Sequence, residues 1–170
     1  MPDLHCVSDA ARMAELETLP ATVHLVGSTP DNLQNDKLQT FNRQDGLING
    51  YAHYATRDGK LALWHYGSLW LVGTASDLGT GMRGADVESS AASPADSTGR
   101  WRVFRPSTKE WVDSPDLHCV SDVARLAELE TLPATVHLVG STPENLQQDR
   151  LGTFNRQDGL INGYAHYATR

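Results

Sequence analysis

The chain has 170 residues, 39% of them hydrophobic and 21% charged, with a formal net charge of −7. That hydrophobic share can fill a packed core and is too high for a disordered chain. The negative balance argues against a nucleic-acid backbone or an anionic membrane surface as partner, and no apolar run approaches the length of a membrane span.

Residues Pro2–Arg57 return as Pro115–Arg170 with six pairs different: Ala10/Val123, Met13/Leu126, Asp31/Glu144, Asn35/Gln148, Lys37/Arg150 and Gln39/Gly152. Self-similarity of this kind signals a recurring structural unit. Leu4-His5-Cys6-Val7 reads as a short extended segment behind a Pro2-Asp3 turn. Ser8-Asp9 can cap a helix over Asp9–Glu17, which Leu19-Pro20 ends, and Asp122–Glu130 repeats that connector. Thr22–Gly27 alternates with β-branched residues and predicts a strand. Ser28–Lys37 is polar with a proline and reads as a loop, and a further strand is expected around Leu38–Asn42.

From Tyr51 the chain reads YAHYATR-DG-KLALWHY-GS-LWLVG. Asp58-Gly59 suits a type I′ turn and Gly67-Ser68 a type II′ turn, which sets the register of a three-stranded meander. Directly opposed residues share a face. One face then carries Tyr51, His53, Trp64, Tyr66, Leu69 and Leu71, the other Tyr54, Leu61, Leu63, His65, Trp70 and Val72. Two apolar faces predict a sheet covered on both sides or curled into a small barrel, with the Leu61/Leu63/Trp70/Val72 face as core. Thr74–Gly99 reads as one long irregular loop, followed by strands at Trp101–Phe104 and Glu110–Val112. The expected organisation is the end of a preceding unit plus connector helix over 1–20, a complete β module over 21–120, and a helix with the first half of a second module over 121–170. The fold class is therefore mainly β, a small antiparallel sheet or barrel-like module with a short connector helix.

Motifs for chemistry are weak. Gly79-Thr80-Gly81-Met82-Arg83-Gly84 matches G-x-G-x-x-G, but a proline-containing polar stretch follows where a phosphate site needs a helix. Six of the seven histidines are three duplicated pairs, and no HxxxH or CxxC spacing points to zinc. Cys6 and Cys119 occupy equivalent positions and read as buried strand thiols. No nucleophile signature surrounds Cys119 or Ser68. Neither a metal, a cofactor nor a catalytic activity is expected.

Val23–Gly27, Ile48-Asn49-Gly50-Tyr51, Leu63-Trp64, Trp70–Gly73, the Ser89–Pro94 loop and Trp101-Arg102-Val103 together resemble a short β-rich repeat of multi-copy proteins in dinoflagellates and other microalgae. That resemblance implies architecture and no activity. It covers roughly Val23–Val120 and the partial copy from Val136.

The second copy supplies Gly163–Arg170 without the LALWHYGSLWLVG hairpin that follows its equivalent. An edge carrying Tyr164 and Tyr167 is expected, open to strand addition. The functional expectation is a non-enzymatic structural or protein-interaction repeat that assembles with other copies of itself or neighbouring units. The alternative is a carbohydrate-binding module stacking glycans on Tyr51, His53, Trp64 and Tyr66.

Overall fold

The computed structural model describes residues 8–141, 143–145, 147–158, 161 and 164–169, so the expected Pro2–Val7 turn and strand lie outside it. The chain forms two compact units, 1–122 and 123–170. The fold is mainly β, as expected.

Unit one opens with helix α1 (Asp9–Glu17). Ser8 Oγ caps it by accepting from the Ala11 amide at 3.2 Å. At its other end Arg43 Nη1 donates to the carbonyls of Leu16 (2.5 Å) and Leu19 (2.6 Å), so a cation meets the negative end of the helix. The strands follow as β1 (Thr22–Val26), β2 (Thr40–Arg43), β3 (Tyr54–Ala55), β4 (Leu61–Tyr66), β5 (Leu69–Thr74), β6 (Ala85–Glu88), β7 (Trp101–Arg105), β8 (Glu110–Asp113) and β9 (His118–Ser121). Among the described residues they make one antiparallel sheet in the order β8-β7-β6-β5-β4-β3-β2-β1-β9.

This order dictates the curl. β8 and β9 are the opposite edges, about 38 Å apart in a flat sheet of nine strands. Only residues 114–117 connect them, a span of at most about 18 Å. The sheet therefore wraps into a half-barrel, and the buried Ser114 ties the short link down by donating from Oγ to Ser28 O at 3.0 Å.

The barrel interior holds Val23, Leu25, Phe41, Tyr54, Leu63, Trp70, Val72, Ala85, Val87, Trp101, Val103 and Cys119. Leu61 packs against this cluster, so the face assigned to the core from the hairpin register is the core. Leu16 and Leu19 fix α1 onto the same cluster. A smaller group, Ala62, Trp64 and Leu71, is buried on the convex side, with Ile48, Leu69 and Leu78 against it.

Of three sequence expectations for the turns and loops, one holds and two change. Tyr66 faces Leu69 across a two-residue loop with Gly67 at φ +63°, as a type II′ turn requires. The Asp58-Gly59 turn is not type I′, because Gly59 has positive φ (+68°) and Asp58 does not. Instead the Gly59 amide donates to Thr56 O (2.9 Å) and Thr56 Oγ1 donates to Asp58 Oδ1 (2.7 Å), making a wider hairpin that still pairs Ala55 with Ala62. Finally, Thr74–Gly99 is not one irregular loop, since Ala85–Glu88 forms the interior strand β6. Its four residues are too few for alternation to stand out, and its outward residue is the carboxylate of Asp86.

Unit two contains α2 (Asp122–Glu130, its first residue shared with unit one), β10 (Thr135–Leu138), β11 (Gly152–Arg156) and β12 (Tyr167–Ala168). Its described strands form a sheet in the order β10-β11-β12. The pairing reproduces unit one: Val136 with Phe154 as Val23 with Phe41, and Arg156 with Tyr167 as Arg43 with Tyr54. Arg156 Nη1 donates to Leu129 O (2.5 Å) and Leu132 O (2.9 Å), repeating the helix clamp.

Candidate functional site

Of the four residues expected to share a binding face, Tyr51, His53, Trp64 and Tyr66, the structure sets Tyr51 apart. The Trp64 indole is fully buried under the segment after β5, and its Nε1 donates to Thr80 O at 2.9 Å. That segment is the G-x-G-x-x-G stretch. Its Gly81 backbone lies against the Tyr66 ring, and Gly73 leaves room for the Trp64 ring edge, so the glycines serve close packing over the sheet. Tyr51 lies on the core side, stacked on His65 with centroids 3.7 Å apart and edge-on to Trp70. The register that placed Tyr51 opposite Tyr66 fails because β3 keeps only Tyr54 and Ala55 in the ladder, and Tyr51 instead bridges Ile48 in a tight turn.

His53 is buried, and burial lowers its pKa below the ordinary imidazole value, weakly opposed by a hydrogen bond with the Gly46 backbone. Tyr66 is the exposed member of the set in unit one. Of the tryptophans, Trp64, Trp70 and Trp101 are buried and the Trp111 indole carries the Arg83 and Arg102 guanidinium groups at 4.6 and 5.5 Å.

Those two arginines belong to a cluster that the sequence reading missed. Asp86 is fully buried on the convex side of β6 and accepts from Arg83 Nε at 2.7 Å and from Arg102 Nε and Nη2 at 2.9 and 3.1 Å. The sequence offered no clear signal for it, because the four residues of β6 are too few for the alternation of Ala85 and Val87 with Asp86 to stand out. The cluster joins β6, β7, β8 and the covering loop as a buttress.

Titration is shifted elsewhere by burial. It pushes the Cys119 thiol up and makes it inert as a nucleophile, and it pushes the Tyr54 hydroxyl up, an effect that Ser93 and the Arg43 charge partly offset. Among the described residues no group of three His, Cys, Asp or Glu side chains is placed to hold a metal ion. No helix among them is long and apolar enough to cross a membrane.

What the molecule does present is the sheet of unit two. In unit one the strand equivalent to β10 is flanked by β9, and the strand equivalent to β12 by β4. In unit two, among the described residues, β10 and β12 are the sheet edges. Identical residues therefore differ in exposure: Leu25 is 0% exposed and Leu138 51%, Val26 1% and Val139 82%. Ile161, the counterpart of the half-buried Ile48, is also exposed. Tyr164 remains 39% exposed with the Arg125 guanidinium 4.9 Å over its ring, and Tyr167 is half-buried with its hydroxyl donating to Pro133 O at 2.9 Å. Of the two tyrosines of the expected edge, Tyr167 lies in β12, while Tyr164 sits outside the named strands in an isolated bridge with Ile161.

The pairing of β1 with β9 shows what covers such an edge. Leu25 sits opposite Cys119, and His24 opposite Val120. His24 is buried between Thr40 Oγ1 (3.0 Å from Nδ1) and Asp122 Oδ1 (2.5 Å from Nε2). In unit two His137 Nδ1 keeps the first bond, to Thr153 Oγ1 at 2.9 Å, while its ring is exposed. No protein-family model, curated protein or solved structure matches this chain.

Proposed function

We propose that the chain is a structural or protein-interaction repeat rather than an enzyme, and that it works by assembly through the open sheet of unit two. The observation that carries this reading is the exposure of Leu138 and Val139 against the burial of Leu25 and Val26 in the same sequence. Burying a Leu or Val side chain contributes roughly 1.5–3 kcal/mol each, and an uncovered strand edge is a template for another strand. The occupants of the two edges in unit one, β9 and β4, set the chemistry of what is sought: strands of the same repeat, presenting alternating apolar side chains. The resemblance to multi-copy microalgal repeats agrees with this, since a unit that leaves an edge for its neighbour is suited to arrays.

Light scattering of the purified chain over a range of concentrations tests the reading. A mass rising above the 18.6 kDa of one chain is expected, with Leu138→Lys or Val139→Lys returning it toward the single-chain value. A single-chain mass at every concentration would overturn the proposal.

A further inference from the structure

We infer, on the assembly reading just given, that the edge of β10 is covered by the Leu4–Val7 segment of a second molecule of this chain, added antiparallel in the register that joins β1 to β9.

The two strands of the known pair are both duplicated in sequence. Thr22–Val26 and Thr135–Val139 are identical, and so are Leu4–Val7 and Leu117–Val120. Identical strands make the same ladder, so the observed pairs Leu25–Cys119 and His24–Val120 translate to Leu138–Cys6 and His137–Val7. A one-residue slip would turn the apolar side chains to the wrong face, so the register is not free.

The receiving edge carries the local features that pairing uses in unit one. Gly27 lies at φ +110°, and a Cβ there would stand 1.9 Å from Asp116 O, because the chain entering β9 passes directly over it. Gly140 holds a matching φ of +128° with nothing among the described residues within 4 Å of the Cβ position. The backbone is set for a close approach, and Asp3 stands in the sequence where Asp116 does. His137 is likewise oriented by Thr153 as His24 is by Thr40, and Asp9 stands in the sequence where Asp122 does.

Chain order excludes unit one as the acceptor, because β9 already closes it. β9 ends at Ser121 and α2 begins at Asp122, so a closing strand completes the unit before the helix that follows it. Leu4–Val7 is followed in the same way by α1, which the Arg43 clamp and Leu16 and Leu19 fix to unit one. By that order it closes a unit other than unit one, and unit two of another molecule offers the matching edge.

Disulfide trapping tests this. In a Cys119→Ala background, Leu138→Cys places a thiol opposite Cys6, within the reach of disulfide geometry. Mild oxidation with diamide should move most chains into a ladder of linked species on a non-reducing gel, collapsed by reductant to one band. His137→Cys, one residue away and directed to the other face, should stay unlinked. A synthetic peptide of residues 2–9, added to the unmodified chain, should lower the mass seen by light scattering.

Linkage within single chains only, at every concentration, would overturn the second molecule as donor, and equal linkage at 137 would overturn the register. Absence of linkage and of a peptide effect in a chain that still assembles would overturn the occupant and leave the assembly reading standing. The same absence in a chain of single-molecule mass would overturn both.

Discussion

One sequence occurs twice in this molecule and meets two different surroundings. In unit one the α1–β3 stretch is enclosed by the chain that follows it: β4 covers β3, β9 covers β1, and the loop of residues 28–38 is pinned from outside. Gln34 Nε2 donates to Phe104 O at 3.0 Å, Arg105 pairs with Asp31 at 2.8 Å, and Lys37 is buried above Gly84. In unit two Gln147 and Glu144 keep the same left-handed φ of 53° as Gln34 and Asp31, yet Gln147 and Arg150 are exposed where Gln34 is half-buried and Lys37 buried. The difference teaches that helix, clamp, loop shape and pairing of this stretch are encoded locally. Its burial in unit one comes from strands outside the α1–β3 stretch, β4 and β9.

The largest effect should come from deleting the same side chain in both units. All four tryptophans lie in unit one, so their fluorescence reports its unfolding alone. Leu25→Ala empties part of a sealed core and should cost about 2–5 kcal/mol in denaturant titration. Leu138→Ala removes an exposed side chain and should change the tryptophan-monitored midpoint by less than about 0.5 kcal/mol in dilute solution. Equal losses would break the comparison between the units.

Much of the fold was legible for a physical reason. The N-cap of α1, the Gly67-Ser68 turn and the β4–β5 alternation are local signals, and each stands where the sequence places it. The site was less legible because the decisive quantity is what covers a residue, and coverage is non-local. Trp64 and Tyr66 alternate onto one side of β4, but only the path of residues 75–84 determines that the first is enclosed and the second exposed. Tyr51 was misplaced because continuing the ladder beyond Tyr54 ignored the Asn49-Gly50 turn, where both residues have positive φ. Leu138 and Val139 could not be recognised as exposed from a sequence whose twin is buried.

A smaller effect belongs to the buttress that only unit one possesses. Asp86→Asn keeps the shape but removes the charge that Arg83 and Arg102 share, leaving two neighbouring guanidinium groups on Trp111. Both arginines keep some access to water, so the loss should be about 2–3 kcal/mol, below that of a fully buried broken pair. The same fluorescence titration measures it, and an unchanged midpoint would remove the cluster from the reasons for unit one's greater enclosure.

The smallest effect is a pH slope. His53 is buried, its Nδ1 has no hydrogen-bond partner among the described residues, and desolvation lowers its pKa from 6.5. The unfolded chain takes up a proton near the ordinary value while the folded chain resists until a lower pH. Stability contributed by the neutral ring is thus fully present above about 6.5 and declines as pH falls from there toward the folded value. Tryptophan-monitored titrations between pH 8 and 5 should show unit one weakening over the acidic part of the range, roughly from pH 6.5 downward. His53→Gln, which cannot titrate there, should flatten that slope while leaving the hairpin register intact. A slope of equal size in the variant would assign the acid sensitivity to other groups of unit one and separate His53's burial from any role in holding the half-barrel closed.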